Sequence, residues 1–195
     1  MVLQEHSKED LATHITAIEL YARKGRFLKC VQAVKRAAPL AAPGDPALHR
    51  ALVRFLVSLE GNKASIHPAV RQVVDLELAA AGDWGLSLSL AQSAGDFNKE
   101  YMAAFGGVSL VHACAGAWAL AHLARTASSA MPVAQVAALL ERAEVPSGSS
   151  LRATLAALAI LRDLELDASL VSVFCAKARA RFPLSPAFAE GKAAL

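Results

Sequence analysis

The sequence predicts an all-α protein, an array of about nine helices packed as hairpins. Hydrophobic residues make up 55% of the chain but aromatic residues only 6%, so the apolar content is mostly alanine and leucine. Both are strong helix formers. No segment alternates for long between apolar and polar residues, as a half-buried strand would. The 195 residues are expected to form one domain over residues 1–188, with a frayed tail at 189–195.

The first two predicted helices form the most clearly marked hairpin. Apolar residues recur at helical spacing over Lys8–Lys24 and again over Phe27–Ala37. Gly25-Arg26 leaves a two-residue connection, with Gly25 where a left-handed cap is needed. So short a connection makes the two helices antiparallel. The predicted buried residues are Leu11, Ile15, Ile18 and Ala22 on the first helix, and Leu28, Val31, Val34 and Ala38 on the second.

Prolines, glycines and capping residues delimit the later helices. The predicted helices that follow are Pro46–Leu59, Pro68–Ala80, a short Leu86–Ala91, Phe97–Phe105, Leu110–Leu123, Pro132–Ala143, Leu151–Arg162 and Ala168–Phe182. The predicted N-caps are Asp45, Asp96, Ser109, Ser150 and Asp167. The fourth helix is predicted to bury Val70, Val73, Val74 and Leu78.

The first hairpin also carries a degenerate repeat signature. A tetratricopeptide repeat places a glycine, an aromatic, a small, a bulky and an alanine residue at the positions of Gly25, Phe27, Cys30, Val34 and Ala37. Small residues allow two helices to approach closely, and bulky ones fill the gap to the next pair. The prediction is therefore a TPR-like helical-hairpin array, an α-solenoid or superhelix. An alanine-rich hairpin can also match this spacing by chance.

Positive charge is concentrated around the same hairpin. Residues 20–56 hold eight basic side chains and one acidic one, Asp45, a local balance of +7 against +3 for the whole chain. These eight form the predicted basic contact face: Arg23, Lys24, Arg26, Lys29, Lys35, Arg36, Arg50 and Arg54. Charge of one sign suits a phosphate backbone or an acidic partner. A solvated helix surface is the alternative, since basic residues also favour helix C-termini.

The cysteines and an uncharged segment, Met102–Ala124, limit the class of protein. The three cysteines, Cys30, Cys114 and Cys175, form no CxxC pair and are expected to be free thiols in a reducing compartment. The polar N-terminus does not read as a signal peptide. Met102–Ala124 lacks charged residues and could span a bilayer by length, but it is rich in alanine and contains two histidines. A buried helix of the array is the preferred interpretation.

The first three helices resemble the C-terminal region of the large auxiliary subunit of N-terminal acetyltransferase A. The residues that carry this resemblance are Thr13-His14, Ala17, Glu19, Tyr21, Arg23-Lys24, Phe27-Leu28, Gln32, Val34-Lys35-Arg36-Ala37, Pro46, Leu48-His49 and Arg54. Weaker matches lie at Phe97-Asn98, Ser109–Leu123, Phe182-Pro183 and Ala187-Phe188. The resemblance is specific over about a quarter of the chain. The family's proteins are several times longer.

The resemblance implies a non-catalytic helical scaffold. Proteins of that family hold a small catalytic subunit at the ribosome, so the expected partners are a catalytic acetyltransferase subunit or other complex members, and the ribosomal RNA backbone. The expected location is the cytoplasm, with no cofactor, small-molecule substrate or membrane contact. The alternative is a standalone helical adaptor unrelated to acetylation.

No catalytic, cofactor-binding or metal-binding residue is predicted. The related catalytic class holds acetyl-CoA with a Gln/Arg-x-x-Gly-x-Gly/Ala loop, and Gln92–Phe97 fails at its last position. His112 and Cys114 are two apart on a helix and face different ways, so they are a poor metal pair. His14, Glu19 and Tyr21 resemble an acid–base cluster. Packing explains them better, with Glu19 paired to Arg23 at i,i+4 and His14 half-buried.

Overall fold

The computed structural model describes residues 10–80, 92–127, 150–163 and 168–188, and within these ranges it contains α-helices and short 3-10 turns but no strand. The all-α prediction is confirmed. The helices are α1 Leu11–Arg23, α2 Phe27–Ala37, α3 Pro46–Gly61, α4 Pro68–Ala79, α5 Ala94–Phe105, α6 Leu110–Thr126, α7 Leu151–Asp163 and α8 Ala168–Arg181, with 3-10 turns at Ala38–Leu40 and Pro186–Phe188.

The chain divides into two compact units, Met1–Tyr101 and Met102–Leu195. In the first unit α2 packs against α1, α3 packs against α1, and α4 packs against α2. In the second unit α6 packs against α7, and α7 packs against α8. One domain over residues 1–188 stays a prediction, and the predicted tail at 189–195 lies outside the described residues.

A Schellman motif connects α1 to α2, as the glycine position predicts. Gly25 has φ +62°. The Gly25 N–H donates to Ala22 O at 3.1 Å, and the Arg26 N–H donates to Tyr21 O at 2.9 Å. These two bonds satisfy carbonyls that the end of α1 leaves without helical partners. The buried Cys30 thiol then ties the hairpin together by donating to Ile18 O at 3.3 Å.

Capping bonds fix where the helices begin. Asp45 caps α3 as predicted, because its Oδ1 accepts from the N–H groups of Ala47 and Leu48, both at 2.9 Å. Ser109 and Ser150 also cap α6 and α7 as predicted. The start of α1 was placed wrongly at Lys8. Asp10 has extended backbone and accepts from two amides of the first turn, so α1 begins at Leu11.

The start of α5 differs from the prediction as well. The helix begins at Ala94 rather than Phe97, so Asp96 lies in its first turn and is not its N-cap. Ser93 Oγ accepts from the Asp96 N–H at 3.0 Å. The predicted helices Leu86–Ala91 and Pro132–Ala143 and the predicted cap Asp167 lie outside the described residues.

Two predicted core residues of the first unit are on the surface. Leu28 on α2 is 42% exposed and Val73 on α4 is 44% exposed. The core is otherwise much as the helical periodicity predicts. The fully or nearly buried side chains there include Ile18, Ala22, Phe27, Cys30, Val31, Val34, Ala37, Leu48, Leu52, Val53, Phe55, Leu56, Val74 and Leu78.

In the second unit, helix α6 is mostly buried, and Arg125 in its last turn is its one charged residue. Trp118 is 1% exposed and stacks on His122 with ring centroids 4.8 Å apart. Gly116 lies so close to Met102 that a Cβ at this position would overlap the methionine side chain. Among the described residues, no helix has the length and apolar character needed to cross a membrane.

Candidate contact surface

Four of the eight predicted contact residues lie together at the α1–α2 turn. Arg23, Lys24, Arg26 and Lys29 are all exposed. Lys29 Nζ lies 5.9 Å from the centroid of the Tyr21 ring, within reach of a cation–π contact. In the described part of the chain, the first three make no ion pair. Their charge therefore faces solvent.

The next two predicted residues lie on α2 beside α4. Lys35 Nζ forms an ion pair with Glu77 Oε2 at 2.5 Å, and both side chains are roughly half exposed. Arg36 follows it and is also exposed. Glu77 lies outside residues 20–56, so it offsets part of the local charge that the sequence count gives. An exposed ion pair of this kind adds little stability.

The last two predicted contact residues, Arg50 and Arg54, lie on α3. Both are half-buried, and each lies near a side chain of another helix. Arg54 pairs with Glu19 of α1. The predicted pairing of Glu19 with Arg23 is therefore wrong, because packing of α3 on α1 brings a cation from another helix to the carboxylate. Arg50 lies near the Tyr101 hydroxyl, where its charge opposes the rise in the pKa of Tyr101 that burial causes. Six of the eight residues thus have exposed side chains, and one of these six, Lys35, is paired with Glu77.

His14, Glu19 and Tyr21, which resembled an acid–base cluster in the sequence, each lie in a different environment. His14 is fully buried, so the prediction that it is half-buried is wrong. Glu19 is engaged with Arg54, and Tyr21 lies under Lys29. These contacts stabilise packing of α1 and do not converge on one reacting atom.

The backbone amides at the start of α5 are occupied by the protein's own side chains. The Ala94 N–H donates to Glu60 Oε1 at 2.7 Å. The Asp96 N–H donates to Ser93 Oγ, whose own hydroxyl donates to Asp96 Oδ2 at 2.6 Å. Two of the amides that a pyrophosphate would need in the segment Gln92–Phe97 are therefore already bonded.

His112 and Cys114 have unlike surroundings. His112 is half-buried, with Nδ1 2.8 Å from Ser109 Oγ and its ring stacked on Phe105. Cys114 is fully buried, and burial raises the pKa of its thiol to about 12. Within the described ranges, no three histidine, cysteine or acidic side chains lie together as a metal site requires.

A buried polar cluster joins α3 to α5. His49 Nε2 lies 2.9 Å from Asn98 Oδ1, and the His49 ring stacks on Tyr101 with centroids 3.5 Å apart. The Tyr101 hydroxyl donates to Gly44 O at 3.2 Å. Burial first, and then the charge of Asp45, raise the pKa of Tyr101 against the opposing effect of Arg50. The cluster anchors the loop before α3 and α5 to the same core.

A groove beside the α1–α2 turn is a feature that the sequence did not predict. It has a volume of about 440 Å³ and lies between the start of α2 and the segment that leads from α3 into α4. Phe27, Leu28, Ile66 and Val70 give it apolar walls, and Arg26 and Lys29 also line it. The helical periodicity predicted that Leu28 is buried, so the sequence contained no sign of this groove, whose wall the exposed Leu28 forms.

The chain is similar in sequence to auxiliary subunits of N-terminal acetyltransferase A. It is 30% identical over 115 residues to the mouse protein N-alpha-acetyltransferase 16, NatA auxiliary subunit, and 30% identical over 109 residues to its human counterpart. It is 41% identical over 63 residues to the N-terminal acetyltransferase A complex auxiliary subunit of Arabidopsis thaliana. The resemblance inferred from the residues is confirmed.

The similarity covers unequal shares of the proteins compared. The mouse and human alignments take in 59% and 56% of this chain, and the plant alignment takes in 32%. The aligned residues make up 12% of each mammalian relative and 7% of the plant one. The chain therefore corresponds to a small part of these relatives. No family model matches it.

Proposed function

We propose that this chain is a non-catalytic helical scaffold of an N-terminal acetyltransferase complex. The observation that carries the proposal is the sequence similarity to auxiliary subunits over more than half of the chain. The helical hairpins offer outward surfaces for protein contacts, as arrays of helix pairs do. The proposed partner is a catalytic acetyltransferase subunit, and the proposed location is the cytoplasm, where such a complex would meet nascent chains.

Co-expression of the tagged chain with the catalytic subunit of N-terminal acetyltransferase A from the same organism tests this. Capture on the tag should yield both proteins, and size-exclusion chromatography should show them migrating together. A pull-down from native lysate, read by mass spectrometry, asks the same question without overexpression. If neither experiment recovers an acetyltransferase subunit, the chain is an adaptor unrelated to acetylation.

The exposed cations at the α1–α2 turn are the proposed ribosome contact. Arg23, Lys24 and Arg26 lie together in one short segment and face solvent, so they can approach a phosphate backbone without breaking an internal ion pair. Such binding is electrostatic and weakens steeply with salt. It requires no base recognition, because phosphate contacts position a protein without reading sequence.

Co-sedimentation with ribosomes across a salt series tests this binding. Replacing Arg23, Lys24 and Arg26 with glutamine should reduce the bound fraction and lower the log–log salt slope by roughly 0.7–0.9 for each phosphate that the variant no longer binds. The matched control replaces three exposed cations elsewhere, Lys63, Lys99 and Arg152. An equal reduction in both variants would mean that only net charge matters, and no reduction in either would reject the proposed ribosome contact.

A further inference from the structure

We propose that the groove beside the α1–α2 turn binds an acidic segment of a partner protein that carries an apolar anchor residue. The inference deepens the proposed scaffold function and rests on it, because it names the chemistry of one partner segment. The groove is defined by Phe27, Leu28, Ile66 and Val70 as its apolar walls and by Arg26 and Lys29 as its cationic side.

The apolar walls come from two separate parts of the first unit. Leu28 stands in the first turn of α2 and is 42% exposed. Val70 is half-buried in the first turn of α4, and Ile66 is half-buried in the connection just before that helix. An apolar side chain placed between these walls would contact both and cover surface that is otherwise in water, which is a favourable exchange. The volume of about 440 Å³ is within the range of small binding clefts and is ample for such an anchor.

The charge of the groove selects the sign of its occupant. Arg26 and Lys29 are the formally charged side chains that line it, and no carboxylate lines it among the described residues. Arg23 and Lys24 are exposed on the adjoining turn and add to the same positive field. Complementary charge raises the association rate and rejects like-charged partners. Carboxylates flanking an apolar anchor would match this arrangement.

The apolar walls favour a protein segment over nucleic acid. A phosphate backbone would engage Arg26 and Lys29 but would leave the apolar walls without a partner. Single-stranded nucleic acid is held by bases that stack on exposed aromatic faces. The aromatic residue of the groove, Phe27, is only 6% exposed and already packs near Phe55. A peptide supplies both the carboxylates and the anchor.

Selection from a random peptide library, displayed on phage and panned against the immobilised full-length chain, tests the inference. Peptides of roughly 12 residues are long enough to span such a groove. The enriched sequences should combine a large apolar residue with neighbouring aspartate or glutamate. The most enriched peptide is then synthesised with a fluorophore, and its dissociation constant is measured by anisotropy.

Two substitution pairs locate the binding site. Leu28→Ser should weaken binding about tenfold, as truncation of a central anchor residue does. Its matched control is Leu20→Ser, since Leu20 is 46% exposed on α1 outside the groove and should leave binding unchanged. R26Q/K29Q should weaken binding and reduce its salt dependence, whereas K99Q/R152Q removes the same charge elsewhere and should not. Circular dichroism establishes that each variant is folded.

Several outcomes would overturn the proposal. Failure to enrich any peptide, enrichment of sequences without acidic residues, or equal binding by the wild type and the Leu28→Ser variant would each do so. Competition by oligouridylate, with Leu28→Ser without effect, would assign the surface to nucleic acid instead. Failure of the chain to capture a catalytic subunit, with peptide binding intact, would reject the proposed scaffold function and leave the groove assignment standing.

Discussion

Cys30 and Cys114 are held as protonated thiols by their surroundings. Both side chains are fully buried, and burial raises the pKa of each thiol above the ordinary value of 9.0. The reactive species is the thiolate, so both should resist alkylation. Cys175 is only half-buried. We expect iodoacetamide to label Cys175 first at pH 8, and Cys30 and Cys114 only after denaturation, as peptide mapping by mass spectrometry would show.

The same pKa shifts have a consequence for stability. Between the pKa of an unfolded thiol, 9.0, and the value of about 12 for Cys114, the unfolded chain releases a proton that the folded chain keeps. Stability therefore falls as pH rises through this window. Cys114→Ala should flatten the decline in melting temperature above pH 9. In the iodoacetamide labelling experiment, rapid modification of all three cysteines in the native protein would contradict the burial of Cys30 and Cys114.

The contact between His49 and Asn98 joins residues that are far apart in the chain. His49 is 2% exposed and Asn98 is 1% exposed, and His49 Nε2 lies 2.9 Å from Asn98 Oδ1. A buried hydrogen bond contributes about 1 kcal/mol, and leaving one partner unsatisfied costs about 1–3 kcal/mol. We expect His49→Ala and Asn98→Ala to be non-additive, with a coupling of at least about 0.5 kcal/mol in a double-mutant cycle measured by urea unfolding. Simple additivity would show that the bond contributes nothing.

At the scale of elements, the turn between α1 and α2 depends on one glycine. Gly25 has φ +62°, and a Cβ built there meets nothing within 4 Å. The penalty for Gly25→Ala is therefore conformational, about 1–2 kcal/mol for a left-handed residue. Gly61 is the control, because a Cβ there also meets nothing within 4 Å and its φ is ordinary. Gly61→Ala should be neutral or mildly stabilising in the same urea titration.

Packing of the first hairpin depends on Phe27. The side chain is 6% exposed, and its ring centroid lies 6.5 Å from that of Phe55 on α3. Phe27→Ala should lower the free energy of unfolding by about 3–5 kcal/mol, as truncation of a core aromatic residue does. The neighbouring Leu28 is 42% exposed, so Leu28→Ala should cost much less. Similar destabilisation by the two variants would show that Phe27 is not the core residue of this hairpin.

Local features account for what the sequence predicted well. The bounds of α2 were predicted correctly because a left-handed glycine precedes it and periodic apolar residues fill it. Asp45 followed by Pro46 likewise marked the start of α3. The start of α5 was missed because Glu60, 34 residues earlier, accepts from the Ala94 N–H. The partner of Glu19 was missed for the same reason, since Arg54 is 35 residues away.

The candidate surface was predictable in part. Its exposed cations follow one another along the chain, so a count of charges found them. The ion pair of Lys35 with Glu77 on α4 depends on how α2 and α4 pack. The groove depends on the same packing, because Val70 belongs to α4 while Leu28 belongs to α2. Sequence spacing alone does not indicate which segments meet.

At the scale of the whole molecule, a scaffold and a catalyst differ in what they do alone. We expect the pure chain to show no acetylation of peptides with acetyl-CoA, measured by the free thiol of the coenzyme A that acetyl transfer would release. The segment nearest to an acetyl-CoA loop has its Ala94 and Asp96 amides bonded to Glu60 and Ser93, so they cannot also hold a pyrophosphate. The catalytic subunit alone is the positive control for the assay.

A second assay compares peptide acetylation by the catalytic subunit alone with acetylation after the chain is added. A scaffold that orders a partner changes its kinetics only when the two proteins associate, so any change in peptide acetylation should saturate at one chain per catalytic subunit. Phe27→Ala, which disrupts the hairpin core, should abolish the change, whereas Gly61→Ala should preserve it. Turnover by the pure chain would show that it is an enzyme. A change in rate that survives Phe27→Ala would show that the hairpin is not the contacting element.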